Sequence, residues 1–142
     1  MSLSKNTAGD DYIRITNIKT YALDAAYTNA LAGDLVKLST GTADAVALCA
    51  SGDNPLGIVL SINSGNGVVS VAELQDGVTL ILDYTSTAPT LGQKVWANGD
   101  RGTGTPMASR SRVIQNSGGT GVVIAVDSSS PAGTGTLVAR WP

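Results

Sequence analysis

Two stretches of the chain repeat one pattern, "GIVLSI" at 57–62 and "GVVIAV" at 121–126. Each is a Gly-led run of alternating aliphatic residues, and each follows a small polar turn, "SGDNPL" or "NSGGT". Alternation with period two is typical of a β-strand. The similarity extends upstream, because "AGDLVKLS" at 32–39 corresponds to "LGQKVWAN" at 91–98. Two copies offset by about sixty residues are too few for a solenoid, which needs at least ~3 repeats.

The repeat therefore predicts a pseudo-symmetric barrel, in which two similar β-units close against each other and leave no exposed edges. The alternative is that Gly-Val strands look alike in any β-protein. Composition agrees with a β-fold: the chain has 17 Gly, only 4% aromatic residues and no Phe. We expect an all-β fold, a small pseudo-two-fold β-barrel or sandwich of short antiparallel strands. Residues 1–23 form an extended N-terminal arm or the first strand, and residues 24–142 form a single barrel domain.

Local patterns predict individual elements. The segment "VVSVAEL-QDG-VTLILDY" has two alternating runs around Asp76-Gly77, which is typical of a two-residue hairpin turn. Ile58, Leu60 and Ile62 are expected on one face of their strand, and Val95 is expected to point inward. "DAAYTNALAG" is either one short helix or a loop. The prediction for the second strand of the hairpin is one shared face for Val78, Leu80, Leu82 and Tyr84.

Catalytic chemistry has few candidate residues in this chain. There is no His, which removes the commonest general base and the commonest metal ligand. Glu73, the single Glu, is predicted to be a solvated outward residue, and the Asp residues are explained by turns. Cys49 stands alone in an apolar run and is interpreted as a small buried hydrophobe. We therefore predict no catalytic residue, no metal site and no cofactor.

Charge and hydropathy limit the partners. The net charge is −2 and the sequence pI is about 4.8, so no concentrated positive field would attract nucleic acid or anionic lipid. Arg101, Arg110 and Arg112 make one locally basic segment, interpreted either as a solvated loop or as a contact for an acidic surface. No signal peptide and no apolar run near the ~20 residues of a transmembrane helix is present. The expectation is a soluble protein made in a cytoplasm, with no nucleic-acid or membrane partner.

Three motifs follow one another in an order known from a protein family. They are Gly33-Asp34-Leu35-Val36, Gly57-Ile58-Val59 and Leu91-Gly92-Gln93-Lys94-Val95. In this order the chain resembles, over roughly residues 30–127, the capsid decoration (cement) proteins of tailed bacteriophages. Residues 1–29 and the "ARWP" end resemble nothing that we can name.

The resemblance implies a non-enzymatic virion protein, assembled in the host cytoplasm, that binds the outside of the capsid. It would stabilise contacts between major capsid protein subunits as a homo-oligomer, with a trimer favoured. A terminal arm that reaches across neighbouring subunits is common in such proteins, and adding a strand to a sheet edge is one way to do so. The candidate capsid-binding residues of this arm are Tyr12, Ile13, Arg14, Ile15 and Tyr21. The alternative is that residues 12–23 are simply the first strand of the barrel.

Two further functions compete with this interpretation. One is a receptor- or glycan-binding β module of a tail fibre or adhesin, for which an outward Trp96 would be the main aromatic contact. The other is an enzyme of β-barrel type, which the missing His and the single Glu disfavour.

Overall fold

Eleven strands make up the fold. The computed structural model describes residues 12–63, 65–85, 87–101, 111–127 and 134–142, and these residues contain no helix. The all-β prediction is therefore confirmed. The strands are β1 (Tyr12–Arg14), β2 (Ile18–Leu23), β3 (Leu35–Leu38), β4 (Ala45–Leu48), β5 (Gly57–Asn63), β6 (Val68–Glu73), β7 (Val78–Thr85), β8 (Lys94–Arg101), β9 (Ser111–Gln115), β10 (Gly121–Asp127) and β11 (Thr134–Trp141).

The strands form two closed barrels that follow each other along the chain. Strands β2-β4-β3-β5-β6 close into one barrel, which we call barrel 1. Strands β7-β11-β10-β8-β9 close into the other, barrel 2, through the pairing of β7 with β9. Strand β1 adds to barrel 2 by pairing with β7, although it precedes barrel 1 in the sequence.

The two barrels have the same topology. In each, the first and third strands are parallel (β2 with β4, β7 with β9), and every other pairing is antiparallel. The register agrees as well, because Val36 opposes Gly57 in barrel 1 and Val95 opposes Gly121 in barrel 2. A register shift falls at the same place in both copies, between Val59 and Ser61 and between Val123 and Ala125. The sequence repeat thus marks two complete barrels, each of which closes on itself and not against the other.

One turn occurs in both copies and explains part of the repeated sequence. Gly33 and Gly92 have positive φ angles of 96° and 83°, which favour glycine. Their N–H groups donate to the carbonyl oxygens of Val59 and Val123, both at 2.8 Å. In the same turns, Asp34 Oδ2 accepts the N–H of Leu31 at 2.9 Å, and the Gln93 side chain accepts the N–H of Thr90 at 2.8 Å. Each turn therefore fixes how the second strand of its barrel (β3 or β8) meets the fourth (β5 or β10).

The glycines that open β5 and β10 are required by close packing. A β-carbon on Gly57 would lie 2.3 Å from Val71 Cγ1 and 2.6 Å from the carbonyl oxygen of Ala72. A β-carbon on Gly121 would lie 2.7 Å from Trp141 Cζ2. Because no carbon can approach so closely, both strands begin with the one residue that has no side chain.

Three buried valines of barrel 1 have valines as their equivalents in barrel 2, by strand pairing: 36 with 95, 46 with 113, and 59 with 123. The core of barrel 1 consists of Tyr27, Val36, Val46, Val59, Val69 and Val71. The larger cluster contains the core of barrel 2 together with Leu35, Cys49, Ile58 and Ala72 from barrel 1. Leu35, Ile58 and Ala72 are next to inward residues in their strands and therefore face outward, and Cys49 directly follows β4. The outer wall of barrel 1 therefore packs into the same core that fills barrel 2.

Polar contacts reinforce this junction. The loop after β4 reaches β8, where Gly52 N–H donates to Ala97 O and Ala97 N–H donates to Asp53 O, both at 3.0 Å. The carboxylate of Asp53 accepts hydrogen bonds from Lys37 Nζ and from Ala50 N–H, each at 2.7 Å. The Lys37 hydrogen bond is the largest cause that lowers the pKa of Asp53 below its ordinary value of 3.8. Asp53 thus joins β3, its own loop and β8.

Two local expectations are corrected, and one open alternative is decided. Asp76 and Gly77 do form a turn with positive φ angles of 56° and 86°, but β6 and β7 do not pair. Each strand belongs to a different barrel, so this turn connects the barrels and is not a hairpin. Of the two options for residues 24–33, the loop is correct. Ile62 does not share the environment of Ile58, because the register shift between them leaves Ile62 exposed while Ile58 is buried.

Substituting Gly57 tests the close packing at the start of β5. We expect Gly57→Ala to lower the free energy of unfolding by about 3 kcal/mol, because both Val71 and the backbone of Ala72 would have to move. Gly41→Ala is the control, since a β-carbon there meets nothing within 4 Å, and it should change stability by less than about 0.5 kcal/mol. Urea unfolding of both variants measures the difference. Equal stabilities would contradict the packing argument.

The Asp53 junction predicts a dependence of stability on pH. A carboxyl with a lowered pKa in the folded state contributes stability above its unfolded pKa and loses it as the pH falls through the folded value. The wild type should therefore lose part of its thermal stability as the pH drops below 3.8. Lys37→Met should remove this component, because Lys37 is the main donor. Thermal melts of both proteins across this pH range make the comparison, and parallel curves would contradict it.

Candidate functional site

The candidate capsid-binding segment is divided between the two barrels. Tyr12 opposes Leu80 and Arg14 opposes Thr79, so the first part of the segment is strand β1 on barrel 2. Residues 18–23 are strand β2 of barrel 1. Residues 1–11, and the side chains of Tyr12 and Ile13, lie outside the described residues. From residue 12 onward, the segment is therefore part of the folded body.

Two of the predicted residues hold β1 in place. Arg14 is exposed, and its Cζ lies 3.7 Å from the position that a β-carbon would take on Gly77. The guanidinium therefore lies over the turn between the barrels. Ile15 is half-buried and packs against the buried cluster that barrel 2 shares with the outer wall of barrel 1. Together they place one end of the segment where barrel 2 would otherwise be open.

That opening is a seam between β7 and β9. Only Asp83 and Tyr84 of β7 pair with β9, and the earlier part of β7 pairs on that side with β1. Strand β11 occupies the other side of β7 along its whole length. Barrel 2 is thus completed by a strand from outside its own repeat.

Barrel 1 has the same seam, but no described strand fills it. Ala22 and Leu23 of β2 pair with β4, while Ile18 to Tyr21 pair only with β6. The three residues from Ile18 to Thr20 are exposed, and 60% of Ile18 is accessible to solvent. We call the unpaired side of these three residues the β2 edge. An exposed strand edge with an apolar side chain is a site for pairing with another chain.

A cluster of three polar side chains, with Glu73 buried at its centre, lies in barrel 1 next to this edge. The Tyr21 hydroxyl donates to Glu73 Oε2 at 3.4 Å, and Lys19 Nζ lies 3.5 Å from Glu73 Oε1. Glu73 is only 8% exposed, so the prediction that it is a solvated outward residue was wrong. Its Oε1 atom accepts no hydrogen bond from the described part of the chain. Strand alternation could not identify this, because it does not say which face of β6 points inward.

The equivalent positions in barrel 2 are apolar. By strand pairing, Lys19 corresponds to Leu80, Tyr21 to Leu82 and Glu73 to Trp141. All three apolar residues are buried, with exposures of 0%, 2% and 2%. Barrel 2 is therefore closed by apolar side chains at this position, whereas barrel 1 has an exposed Lys19, a half-buried Tyr21 and a buried Glu73.

Burial is the first cause that raises the pKa of Tyr21 above its ordinary value of 10.0, and the charge and hydrogen bond of Glu73 raise it further. Burial also raises the pKa of the Cys49 thiol to about 12, so that thiol is not reactive. Within the described ranges, no three His, Cys, Asp or Glu residues are grouped to hold a metal ion. The same ranges contain no helix able to span a membrane.

The tryptophans do not form an exposed platform. Trp141 is buried, and its indole N–H donates to Thr120 Oγ1 at 3.2 Å. Trp96 is half-buried, with its ring 3.1 Å from the position of a β-carbon on Gly118. The segment containing Arg101, Arg110 and Arg112 falls mostly outside the described residues, and their side chains are among those not described.

Sequence reasoning named Tyr21 but missed the β2 edge and the inward Glu73. The sequence shows only part of the β2 edge. The alternation of Ile18 and Thr20 with Lys19 and Tyr21 predicts a strand, but it does not show which side of that strand lacks a neighbouring strand. Comparison with protein-family models and with curated proteins finds no match for this chain. Interpretation of the site therefore rests on its geometry.

The contact between Tyr21 and Glu73 predicts how the Tyr21 phenol titrates. In the wild type, Tyr21 should ionise above pH 10.0, because burial and the Glu73 carboxylate both raise its pKa. Tyr21→Phe should remove that step, and Glu73→Gln should shift it toward lower pH. Tyrosinate absorbance, followed during an alkaline titration of the folded protein, measures this. A wild-type curve unaffected by both substitutions would contradict the assignment.

Proposed function

We propose that this protein is a non-enzymatic structural protein of a phage virion, which binds the outer surface of the capsid. There it stabilises contacts between major capsid protein subunits. The observation that carries the proposal is a difference between two barrels of the same topology. The seam of barrel 2 is filled by β1, whereas barrel 1 exposes a strand edge and apolar side chains. An exposed strand edge on a folded β-barrel suits a protein whose role is to bind another protein.

Barrel 1 carries most of the exposed apolar side chains among the described residues. Of the six large ones among these residues, four belong to barrel 1 or the loop before β3, namely Ile18, Leu31, Leu38 and Ile62, with exposures of 60%, 41%, 55% and 36%. Barrel 2 and its turns contribute Leu91 and Ile124. Apolar surface that stays in water is a cost that binding would remove.

Two of the motifs on which the resemblance to decoration proteins rests lie at the repeated turn. The early motif, Gly33 to Val36, and the late motif, Gly92 to Val95, occupy equivalent positions at the start of β3 and β8. They place a glycine with positive φ and an inward valine in each barrel. These motif residues support the fold, so the capsid contacts are to be sought elsewhere on the surface.

Binding to a shell would act through multivalency and mass action. A homo-oligomer, with a trimer favoured, would meet several capsid subunits at fixed spacing, so that weak contacts combine into tight attachment. Because it binds the assembled shell and not its separate parts, it shifts the equilibrium toward the shell. The protein would be made in the host cytoplasm and reside on the capsid exterior, with no nucleic acid, membrane or cofactor involved.

The direct test is co-sedimentation of the purified protein with expanded heads of the source phage. Saturable binding with fixed stoichiometry is the expected result. Leu38→Asp should weaken binding by about tenfold or more, since it replaces an exposed apolar side chain of barrel 1 with a charge. Leu91→Asp is the matched control, because Leu91 is more exposed but belongs to a turn of barrel 2. Protein that stays in the supernatant at high concentration would overturn the proposal.

Two further measurements complete the design. Deleting residues 1–23 would remove β2 from barrel 1 and so would test folding, whereas deleting residues 1–11 leaves β1 and β2 intact. Full head binding after the shorter deletion would show that the terminal residues are not the anchor. No observation on the tryptophans favours the receptor- or glycan-binding module, and a glycan array would detect it if head binding fails.

A further inference from the structure

We infer that the β2 edge takes up an extended segment of the capsid subunit as an added β-strand. This inference rests on the proposed function and names the contact through which it operates. The sequence analysis expected the N-terminal arm to add a strand to a sheet edge of the capsid. The inference is the opposite: β1 stays on its own barrel, and this protein provides the edge to which a capsid strand is added.

The internal duplication shows what such a site looks like when it is filled. Ile18 and Lys19 of β2 are equivalent to Thr79 and Leu80 of β7. Those two β7 residues are the ones opposite Arg14 and Tyr12 in β1. The same position of the same barrel topology therefore binds an extended strand in barrel 2 and is exposed in barrel 1.

The backbone groups of the β2 edge point outward. Ala22 N–H donates to Asp44 O at 3.0 Å, and Asp24 N–H donates to Val46 O at 2.9 Å, both toward β4. Alternate residues of a strand direct their N–H and C=O groups to the same side. Thr20 and Ile18 therefore direct theirs to that side as well, beyond the reach of β4. An added strand would satisfy them with ladder hydrogen bonds.

The chain's own β1 cannot occupy this edge. It is paired with β7, and only residues 15–17 connect it to β2. A second copy is also a poor occupant, because antiparallel pairing of two β2 edges about their centre would place Lys19 opposite Lys19, and like charges directly opposite destabilise a sheet. No strand of the described residues is therefore available to occupy it, and the inferred occupant is an extended segment of another protein, which for a decoration protein is the shell subunit.

The surroundings of the edge specify the chemistry of that segment. In barrel 2, Ile15 follows β1 and packs against the core. In barrel 1, the corresponding place adjoins Asn17, whose carbonyl oxygen accepts the N–H of Glu73 at 2.9 Å. Glu73 Oε1 is buried; Lys19 Nζ lies 3.5 Å from it, but it accepts no hydrogen bond from the described residues, so a basic or hydroxyl side chain would supply one. Side chains on the outer face would cover Ile18, so the segment pairs a polar inward residue with apolar outward ones.

The edge can be tested with a peptide of residues 11–17, Asp-Tyr-Ile-Arg-Ile-Thr-Asn, because it contains the strand that the chain itself uses at the equivalent position. The peptide is added to the full-length protein, and amide resonances and hydrogen exchange are recorded. The expected result is slower exchange and shifted resonances at Ile18 and Thr20. Changes confined to β7, or no change at all, would overturn the inference.

Substitutions at Thr20 test whether the capsid uses the same edge. Thr20→Pro removes an N–H that no barrel strand uses, so the barrel should fold while head binding weakens by about tenfold. Thr20→Val is the matched control and should bind as the wild type does, because it keeps that N–H. Should the proline variant fail to fold, Ile18→Lys disrupts the edge without changing the backbone and should also weaken binding.

The outcomes separate the inference from the proposed function. Wild-type binding to heads that Thr20→Pro and Ile18→Lys leave unchanged would overturn the edge as the contact, and the proposed function would stand. A wild-type protein that does not sediment with heads would overturn both. Loss of binding in both edge variants, with normal binding by Thr20→Val, would support both.

Discussion

The shared core at the junction is the constraint on which the rest of the molecule depends. Leu35, Ile58 and Ala72 face away from the interior of barrel 1, yet they belong to the same buried cluster as the core of barrel 2. Barrel 1 therefore has two buried surfaces on its walls, one inside and one against its neighbour. The two barrels cannot rotate against each other without exposing these residues, which would cost roughly 1.5–3 kcal/mol for each large side chain. The result is one rigid body with two ends.

The two barrels differ at one position, and the shared core keeps that difference from being removed by rearrangement. The two copies share topology, register shift and turn, but barrel 2 is closed by β1, Leu80 and Trp141. At the same positions barrel 1 presents an open edge, Lys19 and Glu73. A chain that needed only stability would gain from sealing both copies in the same way. Keeping one copy open on a scaffold that does not deform is typical of a surface that awaits a partner.

Much of the fold could be predicted from sequence because it depends on local patterns. Alternation identified most strands, glycine identified turns, and the repeated phrase identified the duplication before any pairing was known. Val95 and Cys49 were correctly expected to be buried. These predictions succeeded because burial of one face of a strand produces an alternation of apolar and polar residues along the sequence.

What failed depends on pairing across long distances. The Asp76-Gly77 turn has the right residues for a hairpin, but each flanking strand finds its partners elsewhere, since β6 closes barrel 1 with β2. The side chain of Glu73 points into barrel 1 because β6 closes that barrel, and its neighbours in the sequence do not indicate this. The β2 edge is the clearest example, because an unfilled seam is visible only when the filled one in barrel 2 is placed beside it.

The early position of β1 in the chain has a consequence for synthesis. Strands β2 to β6 span residues 18–73, so barrel 1 can close while the ribosome is still adding barrel 2. Until β7 emerges, Tyr12–Arg14 has no partner, and the outer wall with Leu35 and Ile58 remains in water. The nascent chain thus passes through a stage that carries both a free strand and an apolar face. How quickly residues 78–141 follow then decides how much of the chain reaches the native state before it associates with another copy.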